Sequence, residues 1–233
     1  MKILMITLIE NSQRLENYQL VNRQAKTTGH HVELFQATNT IIDNLYSRLA
    51  KKSVKRGIFT SNFAYKQCQK HPGRLGCSLS WINILKKIES DQSGESWFLI
   101  FEDDISVPDD FAVKAKNIVS LAKKLPVQTR FIRLFCNFSR KYHHPNQWHS
   151  SYHIAEDFYW MTRQWGSVAQ IIHKSAASVI LSTLPLDNPI DIHFWNKTIL
   201  SSLNPVTYRN SFFQTLGALD SSDNSSKFGS LTI

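Results

Sequence analysis

The stretch that most constrains this chain is Trp97 to Pro108, WFLIFEDDISVP. Trp97, Phe98, Leu99, Ile100 and Phe101 form an unbroken apolar run rich in aromatic and branched side chains, which predicts a buried strand. Glu102, Asp103 and Asp104 follow at once. Taking a bare carboxylate out of water costs on the order of several kcal/mol or more. The strand must therefore emerge at a polar edge, and something cationic should meet it there. In open α/β sheets that carboxyl edge is where ligands bind. Hard oxygen donors there suit a divalent metal whose remaining positions are filled by substrate phosphates. The same residues also fit an ordinary acidic strand-to-turn junction closed by Pro108.

The chain has 233 residues, 42% of them hydrophobic, enough to bury one good core. Its net charge of +9 favours anionic partners: nucleotide phosphates, nucleic acid or an acidic membrane surface. Cys68, Cys77 and Cys136 lack the spacing of a disulfide framework or a zinc site, which points to a reducing compartment. MKILMITLIEN reads as a first strand rather than a signal peptide, because Glu10 and Asn11 interrupt it and no small-residue cleavage site follows. No run reaches the length of a membrane-spanning helix. The expectation is a cytoplasmic protein, with any membrane contact peripheral and made through basic residues.

Lys2 to Ile9 forms the first buried strand, followed by the polar ENSQR and a helix to about Lys26 with Leu15, Tyr18 and Val21 on one face. HHVELFQA is a second strand, and strand, helix, strand at this spacing makes a parallel βαβ unit. Arg14 then sits where a nucleotide's phosphates or base can lie, or is a solvated helix arginine. Thr40 to Lys70 is less regular and basic, and reads as a lid or insertion loop. His71 to Glu89 is a glycine-punctuated turn into an amphipathic helix with Leu79, Ile82, Leu85 and Ile88 at helical spacing. Ser78 and Ser80 lie near its start, where free backbone N–H groups can receive a phosphate or a sugar hydroxyl; a plain N-capped core helix is the other reading.

Asp109 to Lys124 predicts a basic amphipathic helix, and TRFIRLFCNF a strand. SRKYHHPNQWHSSYH is a polar, His-rich loop without zinc spacing, read as substrate-binding or flexible. Trp148, Tyr152, Tyr159, Trp160 and Trp165 lie near it and serve either as stacking surfaces for sugars or as core. GSVAQII is a strand and His173 to Leu184 a helix. In LDNPIDIHFWN, Asp191 and His193 point the same way if the segment is extended, so that a carboxylate and an imidazole can act as base and metal ligand; alternatively Asp191 caps the next helix. Asn204 to Tyr208 is a short strand, and the Ser- and Asp-rich tail is mobile. No GxxxxGK[ST] loop and no GxGxxG occurs, which argues against an ordinary P-loop or dinucleotide site.

Placed in order, these segments resemble glycosyltransferase family 25, the bacterial lipopolysaccharide and lipooligosaccharide transferases related to collagen galactosyltransferases. The resemblance rests on ITLIENSQR with its Arg14 and on the Gly73–Arg74–Leu75–Gly76–Cys77–Ser78–Leu79–Ser80–Trp81 helix start. It continues with the apolar strand ending in Glu102–Asp103–Asp104, the strand and helix that end in NPID, and NPVTYRNSFFQ with Gln214. Arg74 stands where the family has Glu, and Trp81 where it has His, which bears on specificity or activity.

The resemblance implies a GT-A-like α/β fold, a single domain over 1–233 with a mostly parallel central sheet flanked by helices. Residues 1–125 form the nucleotide-sugar-binding half, 126–220 the acceptor-side half and 221–233 the tail. It implies a UDP-sugar donor, often UDP-galactose, inversion at the anomeric carbon, and Mn2+ or Mg2+. Glu102 and Asp104 take the place of a DxD motif, with Asp104 the direct metal ligand and His193 a further one. Thr7, Leu8, Arg14, Ser80, Glu102, Asp103 and Gln214 surround the donor, and Asp191 is the candidate base. The expected partners are a nucleotide-sugar donor, a glycan or glycolipid acceptor and an anionic membrane surface, without nucleic acid. Two alternatives stay open, an inactive glycosyltransferase-like binding protein and a basic RNA-binding protein. A phosphatase of the DxDx[TV] type is disfavoured because Glu102 occupies the nucleophile position.

Overall fold

β1 (Lys2–Thr7) supplies five consecutive buried residues, and it pairs in parallel with β2 (Val32–Gln36) on one side and β3 (Trp97–Glu102) on the other. The structure, a computed structural model, describes residues 1–41, 45–134, 150–161, 166–209 and 212–216. β1 and β2 are joined by α1 (Ser12–Thr27), which begins where the Asn11 side chain accepts a hydrogen bond from the Arg14 N–H. β3 is entered from α3 (Pro72–Glu89), whose first helical residue is a proline. A two-residue strand, β4 (Ile105–Ser106), and α4 (Phe111–Ala122) follow.

The second part of the chain adds β5 (Phe131–Arg133), β6 (His153–Ala155), β7 (Phe158–Trp160) and β8 (Ala169–His173). Then come α5 (Lys174–Leu181), α6 (Ile190–His193), α7 (Lys197–Leu203), β9 (Val206–Tyr208) and β10 (Gln214–Thr215). Asn204, in the left-handed region at φ 46°, ends α7 and turns the chain into β9.

The main sheet runs β2-β1-β3-β8-β5-β9-β7-β6. β1–β2, β1–β3 and β5–β9 are parallel, and the remaining pairs are antiparallel, starting at β3–β8. Alternate residues of β3 divide the core. Phe98 and Ile100 pack with residues of α3, α5, α6 and α7, while Leu99 and Phe101 pack with α1 and α4. The result is the expected single α/β domain, with helices on both faces of one mixed sheet.

Two expectations change. Thr40 to Lys70 is not an irregular lid. It contains α2 (Leu45–Lys55) and a short π-helical turn, Phe63–Gln67. Tyr46, Leu49, Ala50 and Ser53 recur at i, i+3, i+4 and i+7, a stripe that the lysines around it conceal in the sequence. Phe59, Phe63, Ala64 and Cys68 are buried beneath it. The PIDIH segment is not extended. It is the helical turn α6, and residues two apart on a helix lie roughly 200° apart around the axis. Asp191 and His193 therefore face different ways. Most of the His-rich loop, Trp148, Trp165, Cys136 and the tail lie outside the described residues.

Candidate functional site

At the carboxyl ends of β1, β2 and β3 lies a cavity of about 250 Å³. Leu8 after β1, the Ala37–Ile41 segment after β2, and Glu102, Asp103 and Asp104 at the end of β3 contribute its walls, with Gly73, Cys77, Ser80 and Trp81 of α3 opposite. A parallel strand set sends its ends to one edge, so three loops converge there without further design.

The three carboxylates have different fates. Asp103 is 2% exposed and fully engaged: one oxygen accepts from the Leu8 N–H at 2.7 Å and the other from the Arg14 guanidinium at 2.6 Å. Burial still lifts its pKa above the ordinary carboxylate value, against the pull of Arg14 and the Leu8 amide. The backbone around it is stapled by Asn17, whose Nδ2 donates to the carbonyls of Asp103 (2.9 Å) and Ile105 (2.8 Å). Glu102 gathers its donors on Oε1: the Ser167 hydroxyl at 2.5 Å, the Trp81 indole N–H at 2.8 Å and the Cys77 thiol at 3.6 Å. Its pKa is nonetheless raised, first by burial, with Asp103 and Asp191 adding repulsion.

Asp104 differs from both. Its Oδ1 is buried and has no hydrogen-bond partner among the described residues. Burial, then repulsion from Glu102 and Asp103, push its pKa up to about 7. An orphaned carboxylate oxygen is costly to keep, and a hard divalent cation is the group that fits it. Among the described residues no three His, Cys, Asp or Glu side chains are arranged to enclose an ion. The protein therefore offers Asp104 with Glu102 beside it, and leaves the other positions to ligand oxygens and water.

The remaining residues expected at the site divide. Arg14 and Leu8 line the cavity, where both also hold Asp103. Ser80 lines it too, but its hydroxyl is committed, donating to the Gly76 carbonyl and accepting from the Thr38 N–H, each at 2.8 Å. Thr7 is fully buried and bonds within its own strand, to the Met5 carbonyl. Gln214 lies on β10, its backbone paired opposite Ser106 of β4, two residues after Asp104. Asp191 accepts from the Gly166 N–H at 2.9 Å and the Ile192 N–H at 3.0 Å. Its charge is felt by Glu102 and Cys77, although it is not part of the cavity wall. His193 is not brought to Glu102 and Asp104. It is 5% exposed, with its Nε2 against the Thr183 hydroxyl at 2.8 Å, and burial lowers its pKa.

Sequence reasoning missed Asn17, Ser167 and the Thr38–Thr40 segment. Asn17 could have been found: it falls three residues after Arg14, hence on the same helix face, amid apolar positions. Gly76 explains part of the GRLGC spacing. A Cβ there would sit 2.5 Å from the Thr38 carbonyl oxygen, so only glycine lets the segment after β2 lie against α3. Trp81 is fully buried with its ring edge-on to Phe194, and it supplies an N–H donor to Glu102, as an imidazole N–H can. Arg74, the other departure, is half-buried in the first turn of α3 and is not part of the cavity wall.

A sheet with helices on both faces and a carboxylate-lined cavity at the ends of its parallel strands define a ligand-binding α/β protein. The model of glycosyltransferase family 25 (LPS biosynthesis protein) matches residues 1–191, and the chain belongs to that family. No curated protein matches it. Among solved structures, it is similar to a glycosyltransferase involved in the glycosylation of the major capsid of PBCV-1, at 12% identity and TM-score 0.46, over 96% of this chain and 95% of that one. It is also similar to mouse xyloside xylosyltransferase 1 in its apo form, at 8% identity and TM-score 0.38, over 91% and 77% of the two chains. Family membership implies a sugar donor and a glycan acceptor as substrates. No helix among the described residues is long and apolar enough to cross a membrane.

Proposed function

We propose that the protein transfers a sugar, galactose in the first instance, from a UDP-sugar to a lipopolysaccharide, lipooligosaccharide or related glycan acceptor, with inversion and with Mn2+ or Mg2+ bound. The observation that carries this reading is the unpartnered Oδ1 of Asp104 at the carboxyl edge of the parallel strands. Asp104 would hold the cation directly and Glu102 would stand next to it. Bound there, the metal acts as a Lewis acid for the charge that develops on the departing nucleoside diphosphate. Asp103 and Arg14 form the frame. Their ion pair and the Leu8 amide fix the angle at which Asp104 meets the cavity. Arg14 also lines the cavity and would supply positive charge toward the donor's phosphates.

Asp191 remains the candidate to take the proton of the acceptor hydroxyl. Its charge is felt by Glu102, so it stands near the acidic edge without being part of the cavity wall. A thermal-shift panel of nucleotide sugars, with and without Mn2+, tests the reading. Binding to the native state alone raises the melting temperature by mass action. A manganese-dependent rise with a UDP-sugar is expected. No rise with any donor at saturating metal would leave a non-catalytic relative.

A further inference from the structure

Between Asp43 and Glu89 the sequence has no acidic residue but ten Lys and Arg. Four of them, Arg48, Lys51, Lys52 and Lys55, recur at i, i+3, i+4 and i+7 on α2, and all four are exposed. The opposite face, with Tyr46, Leu49, Ala50 and Ser53, is the one packed on the core. None of the four cations forms an ion pair among the described residues. Like charges at these spacings weaken a helix. Lys52 and Lys55 regain something from the helix C-terminus, but Arg48 and Lys51 lie too early for that. A stripe that costs the helix stability and has no ion-pair partner among the described residues is suited to an external anion.

Its position narrows the partner. α2 and the π-helical turn are inserted between two segments that line the cavity, ending at Ile41 and resuming at Gly73. The π-helical turn packs on α2 through the Tyr46 hydroxyl, which donates to the Ala64 carbonyl, and it carries the exposed Tyr65 and Lys66. Ile41 and Tyr65 are two of the few large apolar side chains left exposed, at 49% and 42%. Exposed cations on α2, an exposed tyrosine on the turn packed against it and an exposed isoleucine four residues before that helix in sequence suit a headgroup layer, where tyrosine sits with its polar end in water. Single-stranded nucleic acid is instead held in a basic groove with several stacking rings, whereas this is the outer face of one helix.

We propose that the outer face of α2, with Tyr65 and Ile41 at its edges, docks on an anionic lipid bilayer and so holds the cavity mouth at the membrane surface. That a lipid-borne acceptor is met there rests on the transferase reading; the docking itself does not.

The test is sedimentation of the full chain with phosphatidylcholine vesicles, with and without phosphatidylglycerol, at about 0.15 M salt. Binding is expected only to the anionic vesicles. Each cation near such a surface contributes about fivefold in affinity, so Lys51→Gln/Lys52→Gln/Lys55→Gln should lose on the order of a hundredfold. A charge-matched control, Lys116→Gln/Lys123→Gln/Lys124→Gln, removes exposed lysines from α4 and the segment after it, and it should bind like the unaltered protein. Equal loss in both triple variants would overturn the proposal, since net charge alone would then explain binding. So would equal binding to neutral vesicles, or a single-stranded oligonucleotide that binds more tightly than the vesicles and loses affinity in the α2 variant. Circular dichroism checks that α2 remains folded. Nucleotide-sugar thermal shifts on the same proteins read the transferase assignment separately, with donor binding expected intact in the α2 variant.

Discussion

Strands β1 and β3 keep their polar groups at the ends, whereas Gln170, Arg133 and Thr207 of β8, β5 and β9 are buried side by side across three neighbouring strands. On the first side, each carboxylate at the strand end is either answered from within, like Asp103, or opens on the cavity with an oxygen free, like Asp104. On the second side, both amide atoms of Gln170 and the Thr207 hydroxyl are buried without partners among the described residues and are not part of that cavity's wall. An unpaired group at an edge can be met by a ligand at little structural cost. In the interior the same deficit weighs on folding itself.

The sharpest way to break this contrast is at the edge. Asp104→Ala should reduce manganese-dependent donor binding by more than about a hundredfold, beyond what losing an outer-shell partner of a metal costs. Calorimetric titration of the UDP-sugar with Mn2+ measures it, and unchanged affinity would remove Asp104 from the metal. Arg14→Ala strips Asp103 of its counter-charge and leaves a buried carboxylate with one amide donor. A loss of about 3 kcal/mol in urea unfolding is expected, the low end for breaking a buried pair because Arg14 keeps some contact with water.

The pH response comes next in size. The Asp104 pKa in the folded protein, about 7, lies above its ordinary value of 3.8. The folded state therefore holds a proton that the unfolded state has released between those values. Stability from the protonated carboxyl is full below about pH 4 and disappears as pH rises through about 7. Metal-free protein should melt higher at about pH 5.5 than at about pH 7.5, and Asp104→Asn should flatten that difference. An equal slope in the variant would assign the effect to other groups. The smallest effect is interior. Gln170→Leu removes an unanswered amide while keeping an apolar body, so stability should stay within about 1 kcal/mol of the original or rise. A loss above about 2 kcal/mol would mean that ordered water satisfies Gln170.

The two regions also differ in how readily the sequence discloses them. β1 and β3 are long enough for an apolar run to stand out, and the carboxylates at the end of β3 announce an edge. β6 and β7 are three residues long, too short for alternation to register against background, whereas the expected short strand at Asn204 to Tyr208 is β9. TRFIRLFCNF was legible as a strand despite Arg133, and β5 lies within it. α2 was hidden by its own charge, since its core-facing stripe includes Ala50 and Ser53, which hydropathy ignores. At the site, Arg14 and the acidic triplet were legible because their chemistry is local. His193 was misplaced because one residue of spacing means the same side in a strand and opposite sides in a helix, and Pro189 settles which. The partners of Glu102 were not legible at all: Trp81, Cys77 and Ser167 come from α3 and from the segment before β8, joined only by the fold.

The smallest strand pair has an effect on timing. β10 lies antiparallel to β4, and the Leu216 N–H donates to the backbone carbonyl of Asp104 at 2.8 Å. A nascent chain has all three carboxylates outside the ribosome for more than a hundred residues of synthesis before that clasp exists. Because β8, the neighbour of β3, and β10 are both translated late, the helices and strands of the N-terminal part can assemble while the acidic turn is still unpinned. The acidic turn is therefore pinned only once β10 has been made, and not when β3 forms.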